Sequence, residues 1–155
     1  MKIRVKYCWA KISMNKLNSE NFEKVVNDES GLFIIKFSSP TCGPCKTMIP
    51  VFEALTEKNP EINIYEIDTM ESPELASHFG VRGVPFVTYC ENREVLYSFT
   101  GVTPLGNLQY VINNINDPYF RENGEFRSEE PKKSPWFALS IIAVILFFIT
   151  VYFLV

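Results

Sequence analysis

Histidine is nearly absent from this 155-residue chain, with His78 alone, and cysteine is limited to Cys8, Cys42, Cys45 and Cys90. A structural zinc takes four nitrogen or sulfur ligands. Only Cys42 and Cys45 stand close together, so no metal site is expected. Four cysteines so spaced do not make the disulfide framework of a small secreted scaffold. Positive charge is not in excess either. Fifteen Lys and Arg against eighteen Asp and Glu leave a net charge of −3, which gives no support to nucleic-acid binding. Internal repeats and low-complexity tracts are missing.

The N-terminal region lacks a continuous apolar stretch. Residues 1–16 carry Lys2, Arg4, Lys6, Lys11 and Lys16 and no acid. Uncharged runs such as Tyr7-Cys8-Trp9-Ala10 are too short for the apolar core of a secretory signal, about 7–15 residues. Serine is scarce for an organelle presequence. Ile3, Val5 and Tyr7 alternate with Lys2, Arg4 and Lys6, which fits a short edge strand. Met14 fits equally as a start, with residues 1–13 an extension.

The other end lacks charge altogether. Trp136 to Val155 is twenty residues without an Asp, Glu, Lys or Arg. As a helix it would span roughly 30 Å, the thickness of the bilayer core, with Trp136 and Tyr152 placed for the two interfaces. A single C-terminal transmembrane helix is therefore expected. Lys132 and Lys133 precede it and no charge follows. That asymmetry predicts a tail-anchored, single-pass protein whose N-terminal domain faces the cytoplasm.

Between these ends the chain alternates helix and strand patterns. Ser19 to Asp28 reads as a helix capped by Ser19, with Phe22, Val25 and Val26 on one face. Leu32 to Phe37 is a nearly continuous apolar run, suited to a central strand. Cys45 to about Lys58 reads as a helix kinked at Pro50. Ile62 to Ile67 is a strand. Ser72 to Phe79 is a short helix with Pro73 in its first turn. Phe86–Tyr89 and Val95–Phe99 form a hairpin across Glu91-Asn92-Arg93, and Pro104 to Ile115 closes as a helix. The order implies an α/β fold, a mixed central β-sheet flanked by helices on both faces. The expected organisation is an N-terminal extension (1–14), an α/β domain (15–117), a polar linker (118–135) broken by Pro118, Gly124, Pro131 and Pro135, and the transmembrane helix (136–155).

Cys42 and Cys45 lie in Thr41-Cys42-Gly43-Pro44-Cys45-Lys46. A Cys-x-x-Cys pair that follows a buried strand and opens a helix reads as a redox dithiol. Free N–H groups at the helix start stabilise a thiolate at Cys42, the expected nucleophile. Cys45, one turn in, is expected to be more buried and to resolve the mixed disulfide. Gly43 and Pro44 let the sulfurs approach, and Pro44 stiffens the turn. Cys90 is expected to pack as a small apolar residue, and His78 to sit at or near the surface.

With its Cys-Gly-Pro-Cys-Lys motif the chain resembles the thioredoxin family. Pro50 matches that family's kink proline, Val81-Arg82-Gly83-Val84-Pro85 its cis-proline loop, Asp68 the end of its third strand and Gly101 the residue after its last strand. The resemblance covers about residues 15–117. It implies a thioredoxin-like fold, a cis Pro85 packed against the dithiol, and a Val84 backbone offered to an extended substrate peptide, with Thr41 flanking the contact. It also implies a protein-disulfide reductase active in cell redox homeostasis. No cofactor beyond the Cys42–Cys45 redox-active disulfide is expected. The partners implied are protein disulfide substrates and an upstream disulfide reductase, with the membrane held through residues 136–155. Four positions depart from the family pattern. Lys36 replaces a buried acid, Ser38 a tryptophan, Thr41 an aromatic residue and Phe86 a threonine. These departures motivate two rival expectations: a non-enzymatic membrane-anchored adaptor of the same fold, or an oxidase or maturation factor on the non-cytoplasmic side.

Overall fold

The longest apolar run becomes the middle of the sheet. A computed structural model describes residues 14–127, 141, 145 and 149–152. In chain order the elements are β1 (Asn15–Leu17), α1 (Phe22–Asp28), β2 (Phe33–Ser38), α2 (Gly43–Thr47), α3 (Ile49–Lys58), β3 (Asn63–Asp68), α4 (Pro73–His78), β4 (Phe86–Glu91), β5 (Glu94–Thr100), α5 (Leu105–Asn114) and α6 (Pro118–Asn123). The chain divides into two compact units, Met1–Glu125 and Phe126–Val155.

The five strands are ordered β1-β3-β2-β4-β5. The pairs β1–β3 and β2–β3 are parallel. The pairs β2–β4 and β4–β5 are antiparallel. Strand side chains alternate between faces. On one face Phe33, Ile35 and Phe37 join Phe22 and Val26 of α1 and Leu75 and Ala76 of α4 in one core cluster. The opposite face meets α3 and α5. There the Lys36 ammonium stands 5.3 Å from the centre of the Phe52 ring, and the Tyr89 hydroxyl donates to the Leu108 carbonyl at 3.0 Å. The mixed sheet with helices on both faces is as the sequence implies.

Several local expectations change. Ser19 does not cap α1. Its hydroxyl bonds to Glu74, and the Asn18 side chain instead accepts from the Glu20 and Asn21 N–H groups, so the helix begins later, at Phe22. The expected kinked helix over 45–58 is two helices meeting at Met48, with Cys42 capping the first. Pro50 lies in the first turn of α3, where its missing N–H leaves no helical bond unmade. Strand β1 was not anticipated, and the edge strand suggested for residues 2–7 lies outside the described residues. The hairpin turn sits at Asn92 and Arg93, both with positive φ, 51° and 68°. That is the backbone a two-residue hairpin loop requires.

The polar stretch after residue 117 begins with a helix, not a linker. The Asp117 carboxylate caps α6 by accepting from the Tyr119 N–H at 2.7 Å. Gly124 ends it at φ +70°. Phe120 is buried, with its ring 6.2 Å from that of Tyr97.

The membrane anchor and the tail-anchored, cytoplasm-facing placement are corrected. Among the described residues no helix is long and apolar enough to cross a membrane. Residues 136–140 and most of 142–155 lie outside the described residues.

Candidate active site

Four segments meet at one end of the sheet: the turn after β2, the loop before β4, and the ends of β1 and of β3. Strand β2 delivers the chain to the Ser39–Thr41 turn, closed by the Cys42 N–H donating to the Ser39 carbonyl at 3.0 Å. Cys42 then caps α2 in extended conformation, and its sulfur accepts from the Cys45 N–H at 3.1 Å. A disulfide joins Cys42 to Cys45, with Cα atoms 5.3 Å apart. Gly43 and Pro44 form the exposed first turn, Cys42 is half-buried, and Cys45 is 5% exposed. Attack from outside can therefore reach Cys42 before Cys45.

The Val84–Pro85 peptide bond is cis. Pro85 is buried and Val84 half-buried. The Val84 carbonyl oxygen lies 3.6 Å from the Cys42 sulfur. The Pro85 carbonyl accepts from the Gly101 N–H at 2.7 Å, which ties this loop to the end of β5. Thr41 is exposed beside Cys42, its hydroxyl 3.0 Å from that of Ser39. Dithiol, loop and Thr41 thus stand together as the motifs suggested.

Lys36 is the residue whose surroundings the sequence did not supply. It is 2% exposed. The parallel register pairs it with Glu66 of β3, and the two side chains form an ion pair at 2.9 Å. The same Glu66 oxygen accepts from the Ser38 hydroxyl at 2.6 Å. Burial works against ionisation of Glu66. The hydrogen bonds from Lys36 and Ser38 and the charges of Lys36 and Lys16 outweigh it, so its carboxyl is held below the ordinary 4.5. Lys36, Glu66 and Cys45 line one cleft of about 230 Å³. Glu66 was missed. The signal for it was a charge in β3 facing a charge in β2, once the strands are set side by side.

Cys90 lies elsewhere, in a second cavity lined by Phe22, Phe33 and Phe79. Burial pushes its thiol up to about 11, slightly opposed by the Thr88 hydroxyl. His78 is exposed and meets Phe79 edge-on.

The thioredoxin family model matches residues 13–114, and the chain belongs to the thioredoxin family. A thioredoxin of Ophiophagus hannah is 36% identical over 75 residues, 48% of this chain and 71% of that one. NADPH-dependent thioredoxin reductase 3 of Arabidopsis thaliana is 34% identical over 80 residues, 51% of this chain but 15% of that much longer protein. The X-ray structure of Fasciola hepatica thioredoxin superposes with a TM-score of 0.61 at 26% identity, covering 65% of this chain and 98% of that one. Fold, disulfide and relatives agree on a thiol-disulfide oxidoreductase.

Proposed function

We propose that the chain is a protein-disulfide reductase in which Cys42 attacks and Cys45 resolves. The observation that carries this reading is the unequal exposure of the two cysteines, Cys42 half-buried and Cys45 5% exposed. In the reduced chain the Cys42 thiolate is the accessible nucleophile, and the Cys45 N–H that points at its sulfur favours the anion. It attacks one sulfur of a substrate disulfide. The other substrate sulfur leaves as thiolate and takes a proton from water. Cys45, as thiolate, then attacks the Cys42 sulfur of the mixed disulfide, the remaining substrate sulfur leaves, and the Cys42–Cys45 bond closes. Two electrons have passed from the dithiol to the substrate.

An extended peptide segment laid beside Val84 would bond to its backbone as an added strand. Thr41 would border that segment. Regeneration needs an upstream disulfide reductase. The similarity to NADPH-dependent thioredoxin reductase 3, a protein that carries a segment like this chain, supports a reductase of that kind as donor.

The test is thiol release from a disulfide-bonded protein by the full chain, with dithiothreitol as donor. Wild type is expected to turn over, and Cys42→Ser to fall to the uncatalysed rate. An inert wild type would sink the reading and favour an adaptor.

A further inference from the structure

The two sulfurs do not share one electrostatic environment. Cys42 faces the Val84 carbonyl. Cys45 faces a cleft whose wall includes the Lys36–Glu66 ion pair, with Lys36 buried and Glu66 half-buried. The charged groups facing that cleft are Lys16 from β1, Lys36 from β2, Lys46 from α2, Glu66 and Asp68 from β3, and Glu71 after β3. Of these only Lys36 is fully enclosed.

We propose that Lys36 acts as a fixed ammonium that stabilises the Cys45 thiolate, and that Glu66 is the positioning residue that holds this ammonium inside the fold. The inference rests on the reductase reading, in which Cys45 must become an anion to resolve the mixed disulfide. Desolvation makes a lone buried ammonium costly. Glu66 offsets that cost through the 2.9 Å ion pair, while Ser38 fixes the shared carboxylate oxygen. The Phe52 ring centre lies 5.3 Å from the ammonium, where its π face favours a cation.

Glu66 itself fits the role of proton acceptor poorly. A thiol is ordinarily about four pH units less acidic than a carboxyl, and Glu66 is held more acidic still. The Cys45 proton therefore passes to water in the open cleft. The sulfur keeps the electron pair, attacks the Cys42 sulfur, and displaces the substrate thiolate.

The test uses the full chain with Cys8, Cys42 and Cys90 changed to serine, which leaves Cys45 as its one thiol. Ultraviolet thiolate absorbance against pH gives the Cys45 midpoint. Lys36→Met is expected to raise it by about one pH unit, the scale of a lost neighbouring opposite charge. Lys36→Arg keeps the charge and is expected to restore it. Glu66→Gln removes the partner that holds the ammonium in place and is expected to raise the midpoint, in the direction of Lys36→Met, whereas loss of a mere neighbouring negative charge would lower it. This last result stands even where methionine at 36 does not fold. A midpoint unmoved by Lys36→Met, or lowered by Glu66→Gln, overturns the assignment. A merely structural role for the pair would move melting temperature and leave the midpoint alone. The titration needs no turnover, so a failed reductase assay and a failed midpoint shift are separate results.

Discussion

Cys90 is a buried thiol, whereas the Cys42 sulfur is bonded to Cys45, and the buried thiol makes stability depend on pH. Cys90 is 3% exposed and its thiol is raised from 9 to about 11. The unfolded chain ionises it near 9, the folded chain only near 11. Between those values the unfolded state holds fewer protons, so stability falls as pH rises. The advantage of wild type over Cys90→Ala in urea unfolding is expected to be full below pH 9 and to shrink by on the order of 2 kcal/mol toward pH 11. A difference that stays constant with pH contradicts the burial argument. Glu66 has the reverse sign. Its carboxyl is held low, so its contribution is present above the ordinary 4.5 and is lost as pH falls through the folded value. Glu66→Gln is expected to make acid unfolding less steep than in wild type.

The residue scale is also where the sequence was least sufficient. Cys42 and Cys45 were legible because their spacing between a buried strand and a helix carries the geometry, and Pro85 because its loop resembles that of the thioredoxin family. Lys36 was visible as an oddity in an apolar strand, but its partner stands thirty residues away in sequence. Only the parallel register that sets Lys36 opposite Glu66 joins them, and a shift of one residue in it would send these side chains to opposite faces.

Elements were legible where one apolar pattern ran long enough. The run ending at Phe37 identified β2, and the apolar spacing from Leu105 to Ile115 identified α5. Strand β1 has three residues and only Leu17 of them is buried, so it offers no alternation to read. Helix α6 is hidden in the sequence for a different reason. Pro118 and Gly124 read there as interruptions, whereas they are the first residue of the helix and its left-handed terminator. Both uses follow from the same chemistry, since proline suits the first turn and glycine the residue after the last. The packing of Phe120 makes α6 part of the first unit. Phe120→Ala is expected to cost about 3 kcal/mol, the low end for a buried phenylalanine. Gly124→Ala, forced to positive φ, is expected to cost about 1 kcal/mol. Denaturant midpoints measure both. A loss under 0.5 kcal/mol for Phe120→Ala, as order of magnitude, would mean α6 is not held by that contact.

For the whole molecule, topology explains why the chemistry sits where it does. Parallel strands β1, β3 and β2 all end at the same edge, and ligands of open α/β sheets gather at such ends. The dithiol follows β2, Asp68 ends β3 and Glu71 follows it, and antiparallel β4 starts there with Pro85 before it. A mixed sheet thus brings four chain segments to one corner, and the thioredoxin-type disulfide closes within it. The C-terminal stretch shows the opposite lesson. Its composition alone suggested an anchor, yet no described helix is long enough to be one.

The central claim is that Cys42 attacks and Cys45 resolves. It is tested most directly by incubating the reduced full chain carrying Cys45→Ala with a disulfide-bonded protein and measuring intact mass. The account predicts a covalent adduct of chain plus substrate, joined at Cys42, released by dithiothreitol and absent from Cys42→Ser. An adduct that forms equally well with Cys42→Ser, or none with Cys45→Ala while wild type turns over, would contradict it.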